Sequence, residues 1–400
     1  MIRILVLSNP AERAQALSLR AAMDRGHQVT AAVADIIAEV RTRGDAAVRE
    51  LTERFDGARL ESLFLDEARW DALAAKCPAP VREALALAHE RVRNFHQPQI
   101  PASYSTKLEG GGILRSLIIP LRRAACYVPG GRAAYPSTVI MTAAVARLAG
   151  VPEVIVATPP SRDGTILPEV AAAARLAGAT RILLAGGAQA VAALALGTGS
   201  VPRVDVIVGP GNAYVTEAKK QLSGEVRIDS LAGPTEVVIV ADSSADPRQV
   251  AADLVAQGEH DPLALSVLVT ADRSLARRTV DALERELSEH PNRIAAESLG
   301  AHGAAVIARD LDEALSFADE LAPEHLELLL RDAPSGPNHT LPTGGTARFA
   351  SPLSASDFVR RQNVIEYGPR QLESDAGAIE SLARAEGLHG HARAIEVRRK

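Results

Sequence analysis

From about residue 115 to residue 330 the sequence alternates between two textures. Short apolar runs, "SLIIPLRRAACYVPGG", "EVIVATPP", "RILLAGG" and "VDVIVGPGN", are separated by helical stretches, "STVIMTAAVARLAG", "LPEVAAAARLAG" and "AQAVAALALG". A second series opens at "TEVVIVADSSADPRQVAADLVAQGEH", continues in "LSVLVTADRSLARRTVDALERELSEH" and closes at "AAVIARDLDEALSFADELAPEH". Two strands joined through a helix pair most readily in parallel. The pattern therefore predicts an α/β fold whose sheets are covered by helices.

The flanks differ. Residues 30–99 read as helix: "VTAAVADIIAEVRTRGDAAVRELTERF" has apolar residues three and four apart, with Gly44 as a break, and a second helix follows Pro80. The tail from "SPLSASDFVRRQNVIEY" to the end also reads as helical, with charge of both signs. Composition narrows the function. With 47% hydrophobic and 23% charged residues, the 400-residue chain can bury a real core. A net charge of −5 and 3% aromatics argue against a nucleic-acid or anionic-membrane surface. Two distant cysteines, Cys77 and Cys126, form neither a disulfide framework nor a cysteine-rich metal site. The N-terminal stretch does not read as a signal peptide, and no 18-residue apolar run lacks charge, so a cytoplasmic protein without a membrane span is expected.

Several residues can carry chemistry. The Gly-rich turns "VPGGRAAYPS", "AGGAQA" and "VGPGN" follow strands, where open α/β sheets bind ligands, so a nucleotide is plausible. None is a G-x-G-x-x-G, and glycine is common at strand ends anyway. Gln257 and His260 are three apart and share a helix face, as metal ligands can. From residue types alone, His260 before Asp261-Pro262 reads more readily as a helix end whose cation complements the dipole. His389 and His391 in "GLHGH" share a strand face, or are ordinary polar tail residues. Glu324–His325 in "APEHLELLL" suits a water-activating carboxylate beside a general base, or a plain helix start. Cys126 has no activating neighbour in sequence and reads as an inert buried thiol.

Taken in order, "CYVPGGRAAYPSTVIM", "GGAQAVAALALGTGSVPRVDVIVGPGNAYVTEAK", "IDSLAGPTEVVIVAD", "AQGEHDP", "APEHLEL", "GPNHTLPTGGTARF" and "EGLHGHARAI" closely resemble the histidinol dehydrogenase family over nearly the whole chain. The resemblance implies a zinc-dependent, domain-swapped homodimer that oxidises L-histidinol through L-histidinal to L-histidine with NAD. It implies two incomplete Rossmann-like parallel-sheet domains with small N- and C-terminal helical segments. The corresponding boundaries are 1–27 for an N-terminal segment, 28–126 with 236–350 for one α/β domain, 127–235 for the NAD-binding domain and 351–400 for a swapped tail. By motif, Gln257, His260, Asp332 and His391 resemble the zinc ligands, the last contributed by the neighbouring subunit. Glu324 and His325 resemble the acid–base pair. Thr235, His339 and Glu386 fall at substrate positions, alongside Gln257, His260, His325, Asp332 and His391. Tyr127, Gln189 and Asn212 match positions that hold NAD.

One interval departs from the family. Asp332 follows His325 by seven residues, about two dozen fewer than the family has, roughly a helix and a strand. Seven residues reach about 25 Å at most, so Asp332 can still approach a site beside His325. An opened sheet edge is expected there. The departure keeps two alternatives in view, a related dehydrogenase for another amino alcohol or diol and a catalytically impaired paralogue.

Overall fold

The computed structural model of the chain describes residues 2–21, 29–130, 135–231, 233–289, 293–331, 343, 345–348 and 350–399. A strand β1 (Arg3–Val6) and a helix α1 (Pro10–Ala21) open the chain. Helices α2 (Thr30–Arg43), α3 (Asp45–Asp56), α4 (Glu67–Ala75) and α5 (Ala79–His96) follow, then the antiparallel pair β2 (Tyr104–Lys107) and β3 (Ile113–Pro120).

Strands β4 (Arg123–Tyr127), β5 (Glu153–Thr158), β6 (Arg181–Leu184), β7 (Val206–Val208) and β8 (Arg227–Ile228) form a parallel sheet in the order β6-β5-β4-β7-β8. Its crossovers are α6 (Pro136–Val139) and α7 (Val145–Leu148), joined by a π-helical turn, then α8 (Pro168–Leu176), α9 (Gly187–Leu196) and α10 (Ala213–Leu222). Successive strands step outward from β4 to β6, then return to β7 on its other side. The order reverses between β4 and β7, the place where such sheets open a ligand crevice. Apart from Gln189, helix α9 is apolar on every side and buried accordingly.

The second parallel sheet contains β9 (Glu236–Ala241), β10 (Leu265–Thr270), β11 (Gly303–Ile307) and β12 (His325–Leu329), with α11 (Pro247–Gly258), α12 (Arg273–Glu289), α13 (Arg293–His302) and α14 (Leu311–Leu321). Its order is β1-β11-β10-β9-β12. Along β9, Val237 and Ile239 pack under α11, α12 and α13, whereas Val238 and Val240 pack under α1 and α14. Burial on both faces explains the unbroken β-branched run. Truncating the fully buried Ile239 to alanine costs about 2–5 kcal/mol. Among the described residues β12 is an edge strand. The chain closes with β13 (Val359–Glu366), α15 (Pro369–Ala385) and α16 (His389–Glu396).

Three expectations are corrected. The N-terminal residues are not a separate helical segment: β1 pairs in parallel with β11, and Ala16 and Leu19 of α1 enter the core of that sheet. The helices of residues 30–96, grouped above with residues 236–350, pack instead on the β4–β8 sheet. Val33, Ile37, Val48 and Leu51 cover one face, and Trp70, Leu85 and Val92 the other. Amphipathic spacing fixes which face a helix buries, not which sheet receives it. The tail is not all helix either: β13 pairs antiparallel with β3 in a small third sheet, ordered β13-β3-β2.

Candidate active site

His325 begins β12 and Glu324 immediately precedes it, with two residues between Glu324 and the end of α14. Helix α14 ends at Ala322, which has φ 46°, the only positive φ of a non-glycine among the described residues. A left-handed alanine costs roughly 1–2 kcal/mol, so the chain is turned sharply just before the pair. The Glu324 carboxylate accepts from the Thr235 hydroxyl (2.6 Å) and from the backbone N–H of Glu236 (2.9 Å), both on Oε2. The Gln257 side-chain amide donates to Thr235 Oγ1 at 2.5 Å. A carboxylate only accepts, so the direction of this relay is fixed, from Gln257 to Thr235 to Glu324.

The Nδ1 of His325 lies 3.0 Å from the Glu236 carbonyl oxygen and 3.5 Å from Glu324 Oε2. A carbonyl cannot donate, so Nδ1 carries the hydrogen and Nε2 is the basic nitrogen. Burial alone would lower the pKa of His325. The hydrogen bond and charge of Glu324, with smaller help from the Glu236 carbonyl and Glu327, outweigh it and raise the value.

Glu236 thus braces both members of the pair through its backbone. Its side chain is fully buried and held by Arg20 of α1, with Nε at 2.8 Å from Oε1 and Nη2 at 2.7 Å from Oε2. Arg20 Nη1 also bonds the carbonyl of Leu321, at the end of α14. Sequence reasoning missed this clamp. Its one signal is a lone glutamate opening the "EVVIVA" run, and its partner is 216 residues away.

The residues matched to NAD gather at the switch point of the other sheet. Tyr127 ends β4, and its hydroxyl accepts from the N–H of Gly187 at the start of α9 (3.0 Å). Burial pushes the phenol up to about 12, the Gly187 bond opposing this weakly and the charge of Asp56 adding to it. Gln189 is 1% exposed, and its Oε1 has no hydrogen-bond partner among the described residues. An orphaned buried acceptor of this kind fits a ligand's donor. Asn212 caps α10, its Oδ1 accepting from the N–H groups of Tyr214 (3.1 Å) and Val215 (3.2 Å). Neighbouring Cys126 is pushed up to about 12, first by burial, and stays an unreactive thiol at neutral pH.

The metal set is placed in part. Gln257 lies in the last turn of α11 and exposed His260 just beyond its end. With its amide N–H engaged by Thr235, Gln257 keeps its carbonyl oxygen for a cation, which fits a hard donor. Asp332 and His339 lie outside the described residues. Glu386 caps the end of α15 and His391 lies on α16, a helix packed on α15. Both side chains are exposed, and among the described residues neither has a hydrogen bond to the Glu324 network. No cluster of three or more His, Cys, Asp or Glu suited to a metal occurs among the described residues. No helix among them is long and apolar enough to cross a membrane.

Comparison with known proteins meets this geometry. A family model described as histidinol dehydrogenase matches residues 19–335 and 330–399, two pieces that meet at the shortened interval after β12. Histidinol dehydrogenase of a Synechococcus strain is 45% identical over 399 residues, covering 92% of each chain. That of Moorella thermoacetica is 47% identical, covering 92% of this chain and 94% of its own. The crystal structure of histidinol dehydrogenase from Elizabethkingia anophelis is similar with a TM-score of 0.86 at 30% identity, covering 92% of both chains. A braced Glu–His pair on one sheet, a reversal of strand order in the other and matches along nearly the whole length agree: the chain belongs to the histidinol dehydrogenase family.

Proposed function

We propose that this oxidoreductase converts L-histidinol to L-histidinal and then to L-histidine, the last steps of histidine biosynthesis, passing one hydride to NAD in each step. The observation that carries the reading is the Glu324–His325 pair, with a fixed tautomer and a carboxylate braced by Thr235 and Glu236. His325 Nε2 takes the alcohol proton as the C–H hydride departs. Glu324 then takes a proton from water as its oxygen adds to the aldehyde carbon, and a second hydride departs to leave the carboxylate. Among the described residues the hydrogen bonds of Glu324 fall on Oε2, which keeps Oε1 for that water. Thr235 and Gln257 hold the carboxylate in place throughout. NAD, when bound, supplies the hydride acceptor, and zinc, when bound, orients the substrate's amino and imidazole nitrogens.

Tyr127, Gln189 and Asn212 would hold NAD at the β4–β7 crevice. Gln257, His260 and Asp332 would hold zinc, with His391 supplied by a second copy of the chain; His339 and Glu386 would contact substrate. A swapped C-terminal tail over residues 351–400 is supported by its exposed apolar side chains, Ile365 (69%), Leu382 (62%) and Val397 (58%). The experiment is direct: zinc-loaded protein is given L-histidinol and NAD, with NADH and histidine quantified. Two NADH per histidine formed is expected. Zinc bound stoichiometrically with no turnover would make the chain an impaired paralogue and end this reading.

A further inference from the structure

The loop between β7 and α10 is held by a buried ion pair that none of the roles above uses. Gly209 directly follows β7 with φ 108°, and a Cβ there would lie 2.2 Å from the carbonyl oxygen of Tyr127. The backbone of this loop therefore presses on the end of β4, across the switch point. Both polar backbone groups of Gly209 are engaged. Its N–H donates to Asp229 Oδ2 at 2.7 Å, and its carbonyl accepts from Lys219 Nζ at 2.5 Å. Lys219 Nζ also donates to Asp229 Oδ1 at 2.8 Å, which closes a ring of three residues. The Lys219 and Asp229 side chains are 2% and 6% exposed.

Stability alone is a weak reason for such a pair, because two buried charges lose about as much hydration as they gain in attraction. The ring supplies direction instead. Lys219 lies two turns into α10 and reaches back over the helix start, to the loop that carries Asn212. Asp229 directly follows β8 and begins the seven-residue passage, Asp229 to Thr235, that leads from the cofactor sheet to the hydroxyl holding Glu324. One ring thus fixes the form of the 209–212 loop and one end of the link between the two halves of the site.

We infer that Lys219 and Asp229 are positioning residues for the dinucleotide, locking the Gly209–Asn212 loop in its receiving form. The inference rests on the assignment of NAD to this crevice. The test is a fluorescence titration of NADH onto the full-length protein, together with KM values for both substrates. The single variant Lys219→Met strands a buried carboxylate and can unfold the protein. The double variant Lys219→Met/Asp229→Asn removes both charges together, and its fold is checked by circular dichroism and melting. The folded double variant is expected to bind NADH about tenfold more weakly, the scale of one lost charged hydrogen bond, with the KM for NAD raised alike. The KM for L-histidinol should stay within about twofold, below the effect of a single neutral hydrogen bond. Parent-like NADH affinity in a folded double variant overturns the positioning role, and so does an equal loss for both substrates. Asn212→Ala separates the two claims: unchanged NADH affinity there overturns the crevice assignment and this inference with it.

Discussion

Replacing Thr235 by valine removes one oxygen at nearly constant volume and cuts the relay that braces Glu324. Two bonds are lost, the hydroxyl to Glu324 at 2.6 Å and the Gln257 amide to the hydroxyl at 2.5 Å. The first involves an ionised group and is worth about 1.5–3 kcal/mol; the second is neutral, about 0.5–1.5 kcal/mol. Glu324 keeps the Glu236 N–H at 2.9 Å, so it is loosened rather than freed. If roughly 2–3 kcal/mol of this falls on the step that Glu324 serves, water addition to the aldehyde slows about 30- to 150-fold. His325 is held separately by the Glu236 carbonyl at 3.0 Å, and the alcohol step should slow much less. The assay compares NADH formation from L-histidinol in a single turnover with that from L-histidinal supplied directly. Thr235→Ser keeps the hydroxyl and should stay within about threefold of the parent, since neither bond is removed. Equal slowing of both steps in the valine variant, or a serine variant as slow as valine, would refute the division of labour.

Three further outcomes follow from the same geometry. His325 must be neutral to act as a base, so the alcohol step should fail on the acid side at a pH above the ordinary imidazole range; Glu324→Gln removes the two strongest raising influences and should move that limb to lower pH in a pH–rate profile. The raised value also means that His325 stabilises the fold at acid pH, a contribution lost as pH rises through its folded value. Burial raises the half-buried Asp56 from 3.8 to about 6, which destabilises the fold above that pH and fades as the carboxyl protonates below it. Asp56→Asn should therefore gain about 1 kcal/mol in urea unfolding near pH 8, after discounting for partial exposure, and about nothing near pH 4. Arg20→Met strands the Glu236 carboxylate in the core and should cost about 3–5 kcal/mol in the same assay, whereas unchanged stability would show the clamp to be idle.

The parallel sheets were legible because burial on both faces demands mostly apolar runs, and β5, β6, β9 and, with Ser266 inside it, β10 are written that way. Strand β13 was not, because seven of its eight residues are exposed or half-buried and its pattern carries no core face. Gly-rich turns pointed to ligands at the carboxyl ends of strands, which is where Tyr127 and Asn212 lie. The Glu324–His325 pair is at the opposite end of its own sheet, where β9 and β12 begin, and no turn signal marks it. Residue types alone left Glu324–His325 open between catalysis and a helix start. The structure begins a strand there instead, and the Glu236 carbonyl that selects the histidine tautomer is 89 residues away in the chain.

The pairing of β1 with β11 has a consequence for synthesis on the ribosome. Arg3 is opposite Ala304 and Val6 opposite Ile307, so β1 emerges about 300 residues before its neighbour. At ordinary translation rates of about 5–20 residues per second, that wait is roughly 15–60 s. The β4–β8 sheet has no such delay, since its strands and the helices of residues 30–96 have all been made by residue 228. The nascent chain should therefore consolidate from its middle. The apolar strand β1 stays unpaired, open to chaperones or to wrong partners, until the sheet that carries Glu324 and His325 is nearly complete.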